Sequence, residues 1–146
     1  MKIRNNFLIL SQDVAIHPVN GSVSAINIIE TITFNKKIKK EDRLVPLFIL
    51  AKNFIEFGDD NDDDIMEKAL SIDIKHIPTG NINKVYGKKG DEEKIVIKAK
   101  KSEKVEQIGS MIGVKIPFTE IGEYQISLKD KDNKLATYSV FVDETE

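Results

Sequence analysis

Residues 122–128 read Gly-Glu-Tyr-Gln-Ile-Ser-Leu, and this stretch decides the fold. Its tyrosine, isoleucine and leucine alternate with polar residues, which is the rhythm of a β-strand with one buried face. Residues 130–133, Asp-Lys-Asp-Asn, are typical of a turn. Residues 135–142 alternate again on the far side of that turn. The sequence therefore predicts a β-hairpin in the C-terminal part of the chain.

The same two-residue rhythm recurs upstream. Residues 69–77 show it most cleanly, and residues 23–34 carry it over the longest distance. Glu30 interrupts the longer stretch, which predicts a bulge or a change of face at that point. Residues 44–57 are strongly apolar, and Pro46 within them predicts an edge strand or the start of a strand.

A turn is predicted at residues 17–21, His-Pro-Val-Asn-Gly. Asn20-Gly21 is the dipeptide typical of a type I′ turn, whose two central residues both have positive φ. The flanking residues, Ala15-Ile16 and Ser22-Val23, are then expected to pair as a hairpin.

These patterns together predict about seven to nine short strands and no amphipathic helix. Many short strands without alternating helices indicate a sandwich. The predicted fold class is an all-β, antiparallel β-sandwich, immunoglobulin-like or C2-like, with residues 1–146 forming one domain. At 146 residues, such a domain buries roughly 68–70% of the surface of its unfolded chain.

Composition excludes several classes of function. The net charge is −2, which argues against nucleic acid as the main partner, because that binding depends on a surplus of lysine and arginine. Cysteine is absent, which excludes disulfides, zinc–thiolate sites and cysteine nucleophiles. No apolar run approaches the roughly 20 residues of a membrane span. The predicted location is the cytoplasm.

Two segments resemble an uncharacterised family of small bacterial β-sandwich proteins. The first comprises Leu8–Val14, the Asn20–Val23 turn and the strand through Ile26–Ile29. The second comprises Ile116–Phe118 and Gly122–Ile126, followed by a turn and a final strand. The resemblance covers about half of the chain and consists of strand-and-turn patterns. It implies the β-sandwich fold, and it implies no reaction, because the family has no established activity.

An acidic loop at residues 58–64, Gly-Asp-Asp-Asn-Asp-Asp-Asp, is the most conspicuous polar feature. Calcium ions are bound by six to eight oxygens, which clustered aspartates supply. The candidate metal ligands are five aspartates of this loop and of the turn at 130–133: Asp59, Asp60, Asp62, Asp130 and Asp132. The alternative interpretation is a solvated loop that keeps the protein soluble, and this interpretation is favoured.

Other polar residues favour structural roles. His17 lies beside Pro18 in a turn, and His76 is predicted to be a strand-end histidine bonded to backbone. The basic residues of 36–43 are interpreted as a solvated surface. A hydrolase could still use two carboxylates, for instance Glu30 and Asp73, if the fold placed them in one cleft.

Three functions remain open at this point. The first is a non-enzymatic β-sandwich that binds an unknown protein partner through an exposed edge strand or a loop end. The second is a Ca²⁺-dependent binding module, and the third is the carboxylate hydrolase. Edge strands also leave room for a homo-oligomer, whereas neither a nucleic acid nor a membrane is expected as a partner.

Overall fold

Ten strands make up most of the part of the chain that the computed structural model describes, namely residues 2–56, 65–85, 94–100 and 105–146. The predicted all-β sandwich is confirmed. In chain order the strands are β1 (Lys2–Ile16), β2 (Val23–Ile28), β3 (Thr31–Asn35), β4 (Leu44–Glu56), β5 (Ile65–His76), β6 (Ile82–Lys84), β7 (Lys94–Lys100), β8 (Val105–Pro117), β9 (Gly122–Asp130) and β10 (Asn133–Thr145). A single 3₁₀ turn, Lys40–Asp42, precedes β4.

The strands form two sheets. The first has the order β2-β1-β4-β8, and the second has the order β3-β10-β9-β5-β6, with β7 pairing with a different segment of β5. All pairings are antiparallel except that of β3 with β10, which is parallel. The predicted C-terminal hairpin is β9–β10, with Tyr124 opposite Val140 and Ile126 opposite Tyr138. It lies in the interior of the second sheet.

The core lies between the two sheets and is built from the alternating residues. The inward residues of β4, β5, β8 and β9 are mostly aliphatic or aromatic, with the buried polar residues Asn53 in β4 and His76 in β5 among them. Burying each such aliphatic side chain contributes about 1.5–3 kcal/mol. The largest fully buried side chains are Phe118, Leu10, Ile49, Ile55, Leu70, Ile72, Ile116, Ile126, Leu128, Val114 and Val140.

Residues 23–34, predicted as one long strand, are divided between the two sheets. The Ile29 amide donates to the Leu10 carbonyl in the first sheet, and the Phe141 amide donates to the Glu30 carbonyl in the second. Residues 23–34 therefore form β2 and β3, with the crossing at Ile29-Glu30. The predicted change of face at Glu30 is thus a change of sheet, and this crossing and the short β6 raise the strand number to ten.

Pro46 lies near the start of β4, as one alternative predicted, but β4 is not an edge strand. It lies between β1 and β8. The pairing of β4 with β1 ends at Phe48, opposite Ser11, whereas β8 continues alongside to Pro117. Because β1 no longer pairs with β4 at Pro46, the missing N–H of Pro46 costs no hydrogen bond to β1.

The β1–β2 hairpin is present, with Ala15 opposite Ser24 and Ile16 opposite Val23. The predicted type I′ geometry is wrong, because Gly21 has a φ of 69° and Asn20 does not have a positive φ. The loop is longer: the His17 amide donates to the Ser22 carbonyl, and the Gly21 amide donates to the His17 carbonyl. The Asn20 carbonyl oxygen Oδ1 accepts from the Ser22 amide, which stabilises the turn without left-handed backbone at Asn20.

Two glycines with positive φ differ in the space available for a side chain, so their replacement separates the cost of the backbone conformation from the cost of a steric clash. Gly122 has a φ of 120°, and a Cβ there would lie 2.9 Å from Pro78 Cγ; Gly21 also has positive φ but nothing lies within 4 Å. We expect Gly122→Ala to lower the free energy of unfolding by about 2–3 kcal/mol, and Gly21→Ala by about 1 kcal/mol. Urea denaturation measures both, and equal costs would contradict the predicted clash with Pro78.

Candidate functional site

One mostly exposed segment of the chain is nearly uncharged. Residues 14–35 include the end of β1, the hairpin loop, β2 and β3, and Glu30 is their only charged residue, whereas 32% of the whole chain is charged. β2 and β3 are the edge strands of the two sheets. Residues 14–35 are called the uncharged edge below.

Five large apolar side chains are exposed on the uncharged edge. Val19, at the hairpin tip, is 87% exposed and Ile16 is 59% exposed. Val23, Ile26 and Ile28 of β2 are exposed as well. Alternate backbone N–H and C=O groups of an edge strand are directed away from its sheet. The uncharged edge therefore combines unpaired hydrogen-bonding groups with apolar side chains.

The strands on the other side of each sheet carry charges. β7 contains Lys94, Lys98 and Lys100, and β8 contains Glu106 and Lys115. β6 has only three residues. Charged residues and short length both oppose strand addition at an edge. Among the described strands, β2 is therefore the edge that combines exposed apolar side chains with no charge of its own.

A cleft of about 640 Å³ opens beside β2, where β1 leaves β4. Asn27 of β2 lines this cleft and has a φ of 54°, and its Nδ2 donates to Gln12 Oε1 at 2.9 Å. Asparagine tolerates this left-handed backbone better than most residues. The buried and half-buried residues of its lining are aliphatic, and its polar residues are exposed. The lining residues are Gln12, Asp13, Ile26, Asn27, Ile29, Thr31, Ile32, Val45, Pro46 and Leu47.

A second cleft, of about 420 Å³, lies under the hairpin tip. Residues 21–23 form one wall, and Phe7, Leu50, Lys52 and Met111 of the first sheet contribute to the other. The hairpin therefore arches over the outer face of its own sheet. Both clefts adjoin β2, since Ile26 and Asn27 line the first and Val23 lines the second.

The crossing between the sheets is held by Tyr138. Its hydroxyl donates to the Ile29 carbonyl at 2.7 Å. Burial raises the pKa of Tyr138 above its ordinary value of 10.0, and the Glu30 carboxylate raises it further. The phenol therefore keeps its proton at neutral pH and remains a donor, which fixes the position of the uncharged edge relative to the core.

His76 has the structural role that the sequence predicts. It is the last residue of β5, it is buried, and its Nε2 lies 2.8 Å from the Ile121 carbonyl. A carbonyl only accepts, so Nε2 donates to it, and Nδ1 lies 2.8 Å from the Thr79 hydroxyl oxygen. Both ring nitrogens are thus engaged. His17 is exposed in the hairpin loop, where its Nδ1 accepts from the Val19 amide.

The carboxylates named for a hydrolase are not brought together. Asp73 lies in β5, where its Oδ2 is 2.7 Å from Lys129 Nζ. Glu30 directly precedes β3, and β10 and β9 separate β3 from β5. Three strand spacings amount to about 14 Å. Glu30 and Asp73 therefore share no cleft.

Arg43 corrects the interpretation of residues 36–43 as a solvated surface. Its side chain is buried, and its NH1 nitrogen lies 2.7 Å from Glu144 Oε1. Its Nε and NH2 donate to the Ile38 carbonyl, and its guanidinium lies 5.1 Å from the centroid of the Phe34 ring. Arg43 ties the connector before β4 to the end of β10.

Only two of the five predicted calcium ligands lie among the residues that the structure describes. Asp59, Asp60 and Asp62 lie outside the described residues, whereas Asp130 ends β9 and Asp132 is exposed in the turn that follows. Across the described ranges, no three histidine or acidic side chains are grouped to hold a metal. The metal site stays a prediction.

Calcium binding is checked by calorimetric titration with Ca²⁺ and by the melting temperature. A bound ion would release or absorb heat and raise the melting temperature. We expect that replacing the five aspartates of residues 59–64 by asparagine leaves the fold intact, since the favoured interpretation is a solvated loop. Circular dichroism of that variant measures the fold, and a loss of strand signal would show that the loop is structural. Titrating the same variant gives the matched control for any heat seen with the natural chain.

No protein-family model matches the sequence, and no curated protein is similar to it. An immunoglobulin-like protein from Pseudomonas aeruginosa is similar over 97% of each chain, at 11% sequence identity and a TM-score of 0.37. The two-sheet fold, which the sequence resemblance also implied, rests on the strand pairing given above. Among the described residues, no helix is long and apolar enough to cross a membrane.

The uncharged edge was only partly accessible from the sequence. An exposed edge strand was expected, but the strand was not named. A signal was available, because the interval between Asp13 and Lys36 contains a single charged residue. That these residues are exposed rather than buried is decided by the sheet order, which local patterns do not give.

Proposed function

We propose that this β-sandwich binds another protein by strand addition to β2, without catalysing a reaction. The observation that carries the proposal is the uncharged edge: exposed apolar side chains on an edge strand that has no charged residue. The centres of protein interfaces are depleted in charged residues and enriched in apolar ones. Strand addition is a recurrent way of binding an extended peptide.

The geometry indicates how such a peptide would be recognised. Its backbone would pair with the outward N–H and C=O groups of β2, which supplies affinity for any extended segment. Its alternate side chains would lie on the two faces of the enlarged sheet. One face adjoins the cleft lined by Ile29, Ile32 and Leu47, so this position favours a partner with an aliphatic or aromatic side chain.

The proposed compartment is the cytoplasm. A chain without cysteine needs no oxidising environment to complete its fold.

The binding edge is tested by site-specific photo-crosslinking in the host cell. A crosslinking amino acid replaces Ile26 in one variant and Lys75 in the control, because Lys75 is exposed on β5, away from β2. A protein captured at Ile26 and not at Lys75 is identified by mass spectrometry and purified. Equal capture at the two positions would contradict the proposed site.

Binding of the purified partner is then measured with two lysine variants. Ile26→Lys places a charge on β2, and Ile82→Lys places the same charge on the exposed residue Ile82 of β6. We expect Ile26→Lys to weaken binding by at least about tenfold, the equivalent of 1.4 kcal/mol. Ile82→Lys is expected to leave the affinity unchanged. The same affinity for natural chain and Ile26→Lys would overturn strand addition at β2.

A further inference from the structure

We infer that two copies of this chain pair with each other through β2, antiparallel and about a twofold axis, whenever no other partner occupies that edge. This inference rests on the proposed function, because it names a second copy of the chain as one ligand of the same site. A twofold axis normal to the β1–β2 hairpin places β2 against β2 and joins the two hairpins in the order β1-β2-β2-β1, since β2 pairs with the part of β1 that follows its pairing with β4.

The first argument is the charge pattern of the edge. β2 reads Val-Ser-Ala-Ile-Asn-Ile, so self-pairing opposes no like charges. The sequence of β7, in contrast, contains three lysines in seven residues, and pairing two copies there would bring like charges onto neighbouring strands.

The charges nearest to β2 are kept apart by the antiparallel arrangement. Asp13 of β1 lies opposite Ile26 in the sheet register. Where the Ile26 residues of two copies lie opposite each other, their Asp13 residues are three strand spacings apart, about 14 Å. That distance exceeds the Debye length of about 8 Å at physiological salt. The two Glu30 residues, which follow β2 in the chain, lie at opposite ends of the paired strands.

The second argument is what the pairing covers. Each β2 would bury exposed apolar side chains, chiefly Ile26 and Ile28, against those of the other copy. Its outward N–H and C=O groups would gain partners as well. The contact is small, because β2 has only six residues and Asn27 interrupts its regular backbone. Stable interfaces usually bury at least about 1,200 Å². The dimer is thus expected to dissociate on dilution.

The consequence is competition for one edge. A partner strand and a second copy cannot occupy β2 together, so dimerisation lowers the concentration of free binding sites. A partner in excess converts the dimer into a one-to-one complex. The self-pairing therefore acts as a concentration-dependent block of the proposed binding site.

The absence of cysteine permits a direct test. Each position of β2 is replaced in turn by cysteine, and each variant is oxidised mildly at high protein concentration. A residue that lies opposite its own copy has Cβ atoms within about 5.5 Å, which a disulfide can bridge after small shifts. We expect one position, or two neighbouring positions, to give a covalent dimer. The controls Lys75→Cys on β5 and Ile82→Cys on β6 are expected to stay monomeric.

Sedimentation of the natural chain supplies the second measurement. We expect a monomer–dimer equilibrium that shifts with concentration, and a dissociation constant raised at least about tenfold by Ile26→Lys but not by Ile82→Lys. Thermal melts verify that both variants are folded. A natural chain that is monomeric at every concentration, with no crosslinked position on β2, overturns the inference. If the chain is monomeric but a partner is captured at Ile26, the self-pairing is wrong and the proposed function is still supported. If the chain forms a dimer that no partner displaces, the proposed function is wrong and the self-pairing is still supported.

Discussion

Replacing Tyr124 by alanine is expected to lower the free energy of unfolding by about 3–5 kcal/mol, the range for buried aromatic residues. The Tyr124 ring lies on the inner face of β9 and is buried. It meets Phe118 edge-on at a centroid distance of 5.1 Å and meets the His76 ring at 4.7 Å. Truncation would leave a cavity at the junction of β5, β9 and the segment after β8, where the surrounding strands have little freedom to collapse.

Tyr124→Phe is the matched control. The Tyr124 hydroxyl oxygen accepts from the Glu120 amide at 3.0 Å, and the phenylalanine variant removes this hydrogen bond while keeping the ring. Its expected cost is about 1 kcal/mol. Urea denaturation followed by circular dichroism gives both values. The packing argument fails if the alanine variant is no less stable than the phenylalanine variant.

Replacing Arg43 by methionine has the second large expected effect, a loss of about 3–5 kcal/mol. The Arg43 side chain is 2% exposed and its Glu144 partner is 17% exposed. The variant would leave the Glu144 carboxylate poorly solvated and would remove both donors from the Ile38 carbonyl. A buried charge without its partner is costly, because little water can replace the lost contacts.

A surface ion pair supplies the comparison. Lys36 Nζ lies 3.7 Å from Glu146 Oε1, and these side chains are 55% and 93% exposed. Lys36→Met is expected to change the free energy of unfolding by less than about 0.5 kcal/mol, since water and salt screen such pairs. Chemical denaturation measures the free energy of unfolding of both variants. Similar decreases for Arg43→Met and Lys36→Met would show that the burial of Arg43 has no special effect.

Arg43 also shows where local reasoning stops. In the sequence it ends a stretch rich in lysine, and that context predicted a solvated side chain. Its partner Glu144 is 101 residues away along the chain. No local pattern distinguishes Arg43 from the lysines before it, because burial is decided by which distant segment packs against the connector.

The candidate site divides in a similar way. The strand character of residues 23–34 and the interruption at Glu30 were predicted from the sequence. The sequence did not predict that β1 leaves β4 after Ser11, which opens the cleft beside Pro46. Pro46 predicted an edge strand or the start of a strand, and the fold tolerates it near the start of an inner strand because β1 no longer pairs with β4 at that position.

The sequence by itself determined most of the strands, the β9–β10 hairpin, the structural role of His76 and the all-β class. Each of these follows from side-chain periodicity or turn chemistry over a few residues, where the backbone leaves only two faces on which to place apolar groups. The tertiary structure alone decided the parallel pairing of β3 with β10, the burial of Arg43 and the exposure of β2 at an edge. These features depend on contacts between segments far apart in the chain, and such contacts are selected by the packing of the whole core.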